Sequence, residues 1–378
     1  MSGATNIFVY GTLRDQDILM TALGPEFSDA DVRVGTARGV RAAKTAAGPY
    51  PGLVKDADAA APGLLLRNMS DEAVARLVYF EACFSFDLIE VEVDCAGEMF
   101  RAEIFWPNDE VDLSAEDWRL EDWQQSEKPL FLAMARDVMA VYPDGGHKGP
   151  MILRMGAMRR AVASLRAAGV QPADLRSEFG RDGIHQLHRR RNFTGFFAAE
   201  TLNFRFRTFG GGLSETVDRE VMVTGDAVSV LPWDPVRDTV LLIEQVRAAP
   251  VARGDSNPWS LEVIAGLLDR METPEDAARR EAQEEAGLEL GRMEKITSFY
   301  SSPGALTENM TCFLAEADLS GEGGIHGLAS EAEDIRSMIV PFATAMAALE
   351  SGEAANAPIV VSLMALAARK ERLEALWG

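Results

Sequence analysis

Three glutamates, Glu281, Glu284 and Glu285, stand at i, i+3 and i+4 within the segment PEDAARREAQEEAG. On a helix, that spacing projects all three carboxylates from one face. Like charges so close repel one another, and the arrangement becomes favourable when a divalent cation sits among them. The donors are hard oxygens with no Cys or His beside them, which suits Mg²⁺, or Mn²⁺ as a substitute, rather than Zn²⁺. A cation held there would let an anionic diphosphate approach, so the chemistry is metal-assisted hydrolysis of a phosphoanhydride. A solvated acidic helix face is the other reading of such a charge run.

The local sequence predicts the element that must carry these groups. Thr273 reads as an N-cap, Pro274 as the first helical residue, Asp276 as part of an acidic first turn and Gly287 as the stop. The helix is therefore expected over 274–286, with Arg280 pairing with Glu272 to hold the preceding loop. Around it three regions separate. Residues 5–110 alternate short apolar runs (7–10, 88–93, 100–105) with turn-rich segments such as AAGPYPGL and one helical run at 71–79, an α+β pattern. Residues 111–190 give helical signals at 134–141 and 155–168 and end on a basic triplet, 189–191, read as a solvated face; the region is expected to be a helical connector. From 191 to 378 strand patterning returns in FTGFFAAETLNFRFRTF, AVSVLP and DTVLLIEQV, the last two flanking the turn WDPVR, followed by the acidic helix and a helical C-terminal stretch.

Composition narrows the partners. The 378 residues can build two or three domains, and a formal charge of −22 argues against nucleic acid and anionic membrane surfaces. Three cysteines, Cys83, Cys95 and Cys312, show no metal-type spacing, and an odd count of free thiols suits a reducing cytoplasm. The start MSGATNIFVYGTL has no basic leader before its apolar run. The longest apolar stretch near the C-terminus, 357–368, is too short to span a bilayer and is broken by Pro358 and Ser362.

Residues 266–288, GLLDRMETPEDAARREAQEEAGL, resemble the Nudix box at each of its fixed positions: Gly266, Glu272, Arg280, Glu281, Ala282, Glu284, Glu285, Gly287 and Leu288. Ala282 is small for the apolar position. Over most of 192–375 the chain is similar to the bacterial ADP-ribose diphosphatases, through NPWSLEVIAG, YSSPGALTE and GIHGLASEAEDIR; Pro303, sixteen residues past Gly287, matches the proline that accompanies ADP-ribose specificity. The resemblance implies a C-terminal α/β/α sandwich with a mixed sheet. It also implies Mg²⁺-dependent cleavage of ADP-ribose to AMP and ribose 5-phosphate. Metal ligation is implied for Glu281, Glu285, Glu333 and the Ala265 carbonyl, with Glu284 a box carboxylate of variable role. Glu331, on a loop, is implied as general base. Phe196, Arg219 and Arg247 are implied in recognition of the nucleoside end and a phosphate, within a homodimer whose early strands exchange. Another nucleoside diphosphate derivative, a nucleotide sugar or a dinucleotide, is the alternative substrate.

At the other end, IFVYGTLR and the later YFEACFSF resemble the gamma-glutamylcyclotransferase-like fold, a small β-barrel. Its YGTLR loop, here Tyr10, Gly11, Thr12 and Leu13, wraps an amino-acid-like carboxylate, and Glu81 matches its acid/base glutamate. Gly11 allows close backbone approach, and successive amides after a strand make an anion cradle. The glycine usual after the glutamate is Ala82, and CFSFDLI lacks the tyrosine and arginine expected just beyond. Catalysis and sensing of a nucleotide or gamma-glutamyl compound both remain open for this domain. The predicted fold class for the whole chain is α+β: small barrel, helical connector, sandwich.

Overall fold

The computed structural model describes residues 5–45, 48–82, 86–107, 112–143, 150–169, 174–270, 272–328 and 332–378. The chain forms two compact units, 1–219 and 220–378.

In the first unit the strands are β1 (Thr5–Val9), β2 (Asp31–Thr45), β3 (Gly48–Met69), β4 (Phe86–Cys95), β5 (Glu98–Pro107) and β6 (Leu113–Asp117). Their order is β3-β1-β5-β4-β2-β6, and β2 also pairs with β3, which closes five strands into a barrel with β6 added at β2. Strand periodicity decides which side chain goes where. Phe8 and Tyr10 point into the barrel with Leu65, Val93 and Ile104, while Ile7 and Val9 face a second core. That second core is built by α1 (Gln16–Leu23), α2 (Asp71–Glu81), α3 (Leu120–Ser126), α4 (Lys128–Met139) and α5 (Pro150–Ala167), through Ile18, Leu77, Trp123, Phe131, Met134 and Ala161. The segment GPYPGL, read as a turn, is instead the start of β3, paired with the end of β2 from Thr45↔Gly48 to Ala42↔Leu53. Its prolines sit at the strand's first turn of chain, where Trp118 Nε1 donates to the Pro49 carbonyl at 2.8 Å.

Strands β7 (Ile184–Thr194), β8 (Ala198–Phe206) and β9 (Val217–Val223) form a separate three-stranded sheet in that order. The two compact units divide at 219/220, so β7 and β8 fall with the barrel and helices. The reason is an ion-pair cluster tying β7 and β8 to the helices: Asp137 of α4 accepts from Arg160 of α5 at 2.6 Å and from Arg191 of β7 at 2.8 Å, and Arg191 also meets Glu200 of β8 at 2.9 Å. Burial would raise the Asp137 pKa, and the two guanidinium groups more than offset this and hold it low. The basic triplet is thus only partly a solvated face. Arg189 is exposed, whereas the Arg191 side chain is 9% exposed.

The second unit is an α/β/α sandwich. Its sheet runs β14-β15-β10-β11-β17-β16, from β10 (Ala227–Asp234), β11 (Thr239–Val246), β14 (Met293–Tyr300), β15 (Asn309–Glu316), β16 (Ile325–His326) and β17 (Ile335–Pro341); β12 (Trp259–Glu262) pairs with β11 and β13 (Ile264–Leu267) with β10. The sheet is mixed, β10 and β15 being parallel and β11 and β17 antiparallel. Alternation sorts the residues again: Val228, Val230, Leu241 and Ile243 face α7 (Pro274–Ala286), while Leu231, Trp233, Val240 and Leu242 face α8 (Phe342–Ser351) and α9 (Ala357–Trp377). A short α6 (Ala248–Arg253) follows β11. Among the described residues no helix is long and apolar enough to cross a membrane.

Candidate active site

The acidic helix α7 is built as its sequence demands. Thr273 Oγ1 accepts the Asp276 amide at 3.2 Å, Pro274 opens the helix, and Gly287 closes it in the left-handed conformation at φ 60°. Ala277, Ala278 and Ala282 are fully buried against the sheet. Ala282, small for its position in the motif, is therefore one of three alanines that bring the helix close to β10 and β13.

That closeness sets the carboxylates against the backbone of β13. Glu285 is 3% exposed and its Oε2 accepts the Ala265 amide at 3.0 Å. Glu281 lies over Gly266, where an added β-carbon would fall 1.9 Å from its Oε1, so any side chain at 266 would expel that carboxylate. Burial pushes Glu285 up to about 8, with Glu281 and Glu333 adding repulsion; burial likewise lifts Glu281 to about 7, against the pull of Arg280. One buried and one half-buried carboxyl, both of which resist ionisation side by side, are a demand for positive charge.

Arg280 is the organiser of the helix start. Its Nε donates to Glu272 at 2.7 Å and its Nη2 to the other Glu272 oxygen at 3.1 Å and to the Leu267 carbonyl at 3.2 Å, which fixes the loop before the helix. The Nη1 atom meets Glu281 at 2.7 Å and Glu284 at 2.9 Å. Arg280 thus serves both flanks of the helix, and Glu284 is drawn to it rather than to Glu285. Glu333, just before β17, accepts the Leu328 amide at 3.2 Å. Each carboxylate takes a nearby donor, and among the described residues no three acidic, His or Cys side chains converge as a closed metal cage. The donor chemistry nonetheless fits a hard divalent cation: oxygen ligands only, one of them buried and one half-buried, both raised in proton affinity, beside a strand whose glycine admits them. Glu331 lies outside the described residues.

Arg247, at the end of β11, is held by Glu262 of β12 in a two-pronged ion pair, Nε–Oε1 3.0 Å and Nη2–Oε2 2.7 Å. It also feels the charges of Glu285 and Glu333, so it borders the acidic cluster. Glu262 escaped the sequence reading; its signal was an isolated glutamate in WSLEVIAG, the strand facing Arg247. Pro303 lies in an exposed turn where Ser302 accepts the Ala305 and Leu306 amides. In the first unit, Phe196 occupies the turn between β7 and β8 and is 53% exposed. Arg219 is exposed and donates to the Asp218 carbonyl.

The first unit contains a second candidate site. Tyr10, Gly11, Thr12 and Leu13 line a cavity open to solvent, together with Tyr50, Pro51, Glu81, Phe86 and Phe105. Gly11 is needed for closure, since a β-carbon there would meet Pro51 Cγ at 2.6 Å. Glu81, at the end of α2, is buried, and burial drives it up to about 8 against the opposing charge of Arg154. Burial, and then the Glu81 charge, push the Tyr10 hydroxyl well above its ordinary range. Arg154 of α5 lies over the Tyr50 ring at 4.5 Å. A tyrosine therefore lines this cavity from β3, and an arginine of α5 stands on that ring and acts on the Glu81 charge, neither coming from the residues after Glu81. No local signal could have located them, because tertiary packing alone brings those elements together.

Comparison with known proteins agrees with both halves. The NUDIX domain model matches residues 223–362, and the gamma-glutamyl cyclotransferase, AIG2-like model matches 7–125. An ADP-ribose pyrophosphatase of Escherichia coli is 40% identical over 209 residues, 55% of this chain and 100% of that protein. One from Haemophilus influenzae is 36% identical over 201 residues, 53% of this chain and 93% of its own length. A GDP-mannose pyrophosphatase of Salmonella paratyphi B is 37% identical over 145 residues, 38% and 75% of the two chains. With the box helix, its buried carboxylates and these matches together, the chain belongs to the Nudix hydrolases and carries a gamma-glutamyl cyclotransferase, AIG2-like domain ahead of the hydrolase domain.

Proposed function

We propose that the C-terminal unit hydrolyses the diphosphate of ADP-ribose to AMP and ribose 5-phosphate and requires Mg²⁺, for which Mn²⁺ can substitute. The observation that carries this reading is the pair of buried Glu285 and half-buried Glu281 against the Ala265–Gly266 backbone. Full-length similarity to ADP-ribose pyrophosphatases supports the substrate. Glu281, Glu285, Glu333 and the Ala265 carbonyl would hold the cation, with Glu284 at the rim. Bound there, the cation would offset the diphosphate charge and polarise the phosphorus under attack. Arg247, steadied by Glu262, faces a phosphate oxygen. Glu331 receives the proton of the attacking water. Phe196 and Arg219 take the adenine between a ring and a guanidinium. The active species is a homodimer in the cytoplasm, a location that the unpaired, buried Cys95 and Cys312 support.

The test is release of AMP from ADP-ribose with Mg²⁺, with chelator, and with GDP-mannose and NADH as rival substrates. Glu285→Gln should lower turnover at least about 100-fold at unchanged fold, since a ligand carboxylate counts for no less than its outer-shell supports. Preference for GDP-mannose would transfer the assignment to nucleotide sugars, the reading that the GDP-mannose pyrophosphatase similarity favours. Full activity in chelator would end the metal reading.

A further inference from the structure

The turn that carries Phe196 is held by more than its own hairpin. Gly156 of α5 lies against it: an added β-carbon would stand 2.9 Å from Arg160 Nη1 and 3.2 Å from both the Gly195 and the Phe196 carbonyl oxygens. One helical turn on, Arg160, with a side chain 2% exposed, donates Nη1 to the Phe196 carbonyl at 3.4 Å. Its other donors are committed to Asp137, at 3.0 Å from Nε and 2.6 Å from Nη2. Asp137 in turn anchors Arg191 of β7, and Arg191 anchors Glu200 of β8, so both strands leading into the turn are fixed to the helices. The Arg159 guanidinium stands 6.0 Å from the centre of the Phe196 ring. An exposed aromatic ring thus rides on a backbone clamped by buried charge. A buried arginine is otherwise costly, and here its last hydrogen bond is spent on the turn.

We propose that α5 positions Phe196 for stacking on the nucleoside base, with Gly156 and Arg160 as positioning residues, an inference that rests on the reading of Phe196 as the base-stacking ring. The close approach at Gly156 and the Arg160 bond fix the height of the turn over the helix. Arg159 supplies a cation beside the ring. Part of the affinity for the nucleotide then resides in a helix outside both matched regions, 7–125 and 223–362.

The experiment measures AMP binding by calorimetry, and KM and kcat for ADP-ribose, on the full chain and on Phe196→Ala, Gly156→Ala, Arg160→Met and Arg160→Lys. Gly156→Ala is the decisive variant, because alanine favours the helix while its methyl crowds both Arg160 Nη1 and the two turn carbonyls. Phe196→Ala and Gly156→Ala should each weaken AMP binding and raise KM about tenfold with kcat within about twofold, the scale of one lost stacking contact. Arg160→Met should follow them and Arg160→Lys should lie between it and wild type. Weakened binding in Phe196→Ala but not in Gly156→Ala would overturn the role of α5 and leave the stacking role of Phe196 standing. Unchanged binding in Phe196→Ala would overturn both. Loss of kcat in step with a lowered thermal midpoint would mark Gly156 and Arg160 as structural only, which also overturns the proposal. Should AMP binding follow the expected pattern while ADP-ribose is not hydrolysed, the positioning role holds and the substrate reading fails.

Discussion

Replacing Glu81 by Gln tests whether the cavity of the first unit holds a neutral acid at physiological pH. Burial raises Glu81 from 4.5 to about 8, so the folded protein retains a proton that the unfolded chain releases. A carboxyl raised on folding contributes stability that is fully present below about pH 4.5 and is lost as pH rises through about 8. Each pH unit in that window removes ~1.4 kcal/mol, for a total of about 5 kcal/mol at most. Glutamine keeps the shape and the donor and has no proton to lose. The difference in unfolding free energy between Glu81→Gln and wild type should therefore be near zero at about pH 4.5, about 3 kcal/mol in favour of the variant at pH 7 and about 5 kcal/mol above pH 8. Denaturant unfolding followed by near-ultraviolet dichroism across this range measures it. Infrared difference spectra of wild type should also lose a protonated-carboxyl band near pH 8 that the variant lacks. Parallel stability profiles for the two proteins would refute the reasoning and show Glu81 ionised in the cavity. A neutral Glu81 donates a hydrogen bond or a proton at pH 7, so catalysis there as a base would require a ligand that lowers its pKa.

Two further outcomes follow from ion pairs. Arg280→Met leaves Glu272 and Glu281 without their shared cation, and should cost about 2 kcal/mol of stability in the hydrolase unit and abolish most turnover, checked by denaturant unfolding and AMP release. Asp137→Asn strips the buried Arg160 and Arg191 of their counter-charge and should cost about 3–5 kcal/mol in the first unit, measured as a lowered unfolding midpoint; a loss below about 1 kcal/mol would show the cluster to be solvated.

The sequence by itself determined the acidic helix to its end residues, because capping, proline placement and glycine termination are local: Thr273, Pro274 and Gly287 act on their immediate neighbours. It determined the sandwich strands as well, since the near-continuous apolar runs in AVSVLP and DTVLLIEQV record burial on two faces. The Arg280–Glu272 pair was legible for the same reason, both partners lying within one short segment. Tertiary structure alone decided what distant elements share. Glu262 beneath Arg247, Arg154 over Tyr50, and the clamp of Asp137 and Arg160 on the Phe196 turn join residues whose spacing carries no period. It also decided where the units divide, with buried ion pairs joining β7 and β8 to the helices that precede them. Even the small Ala282, an oddity in the motif, found its reason only in the approach of α7 to the sheet.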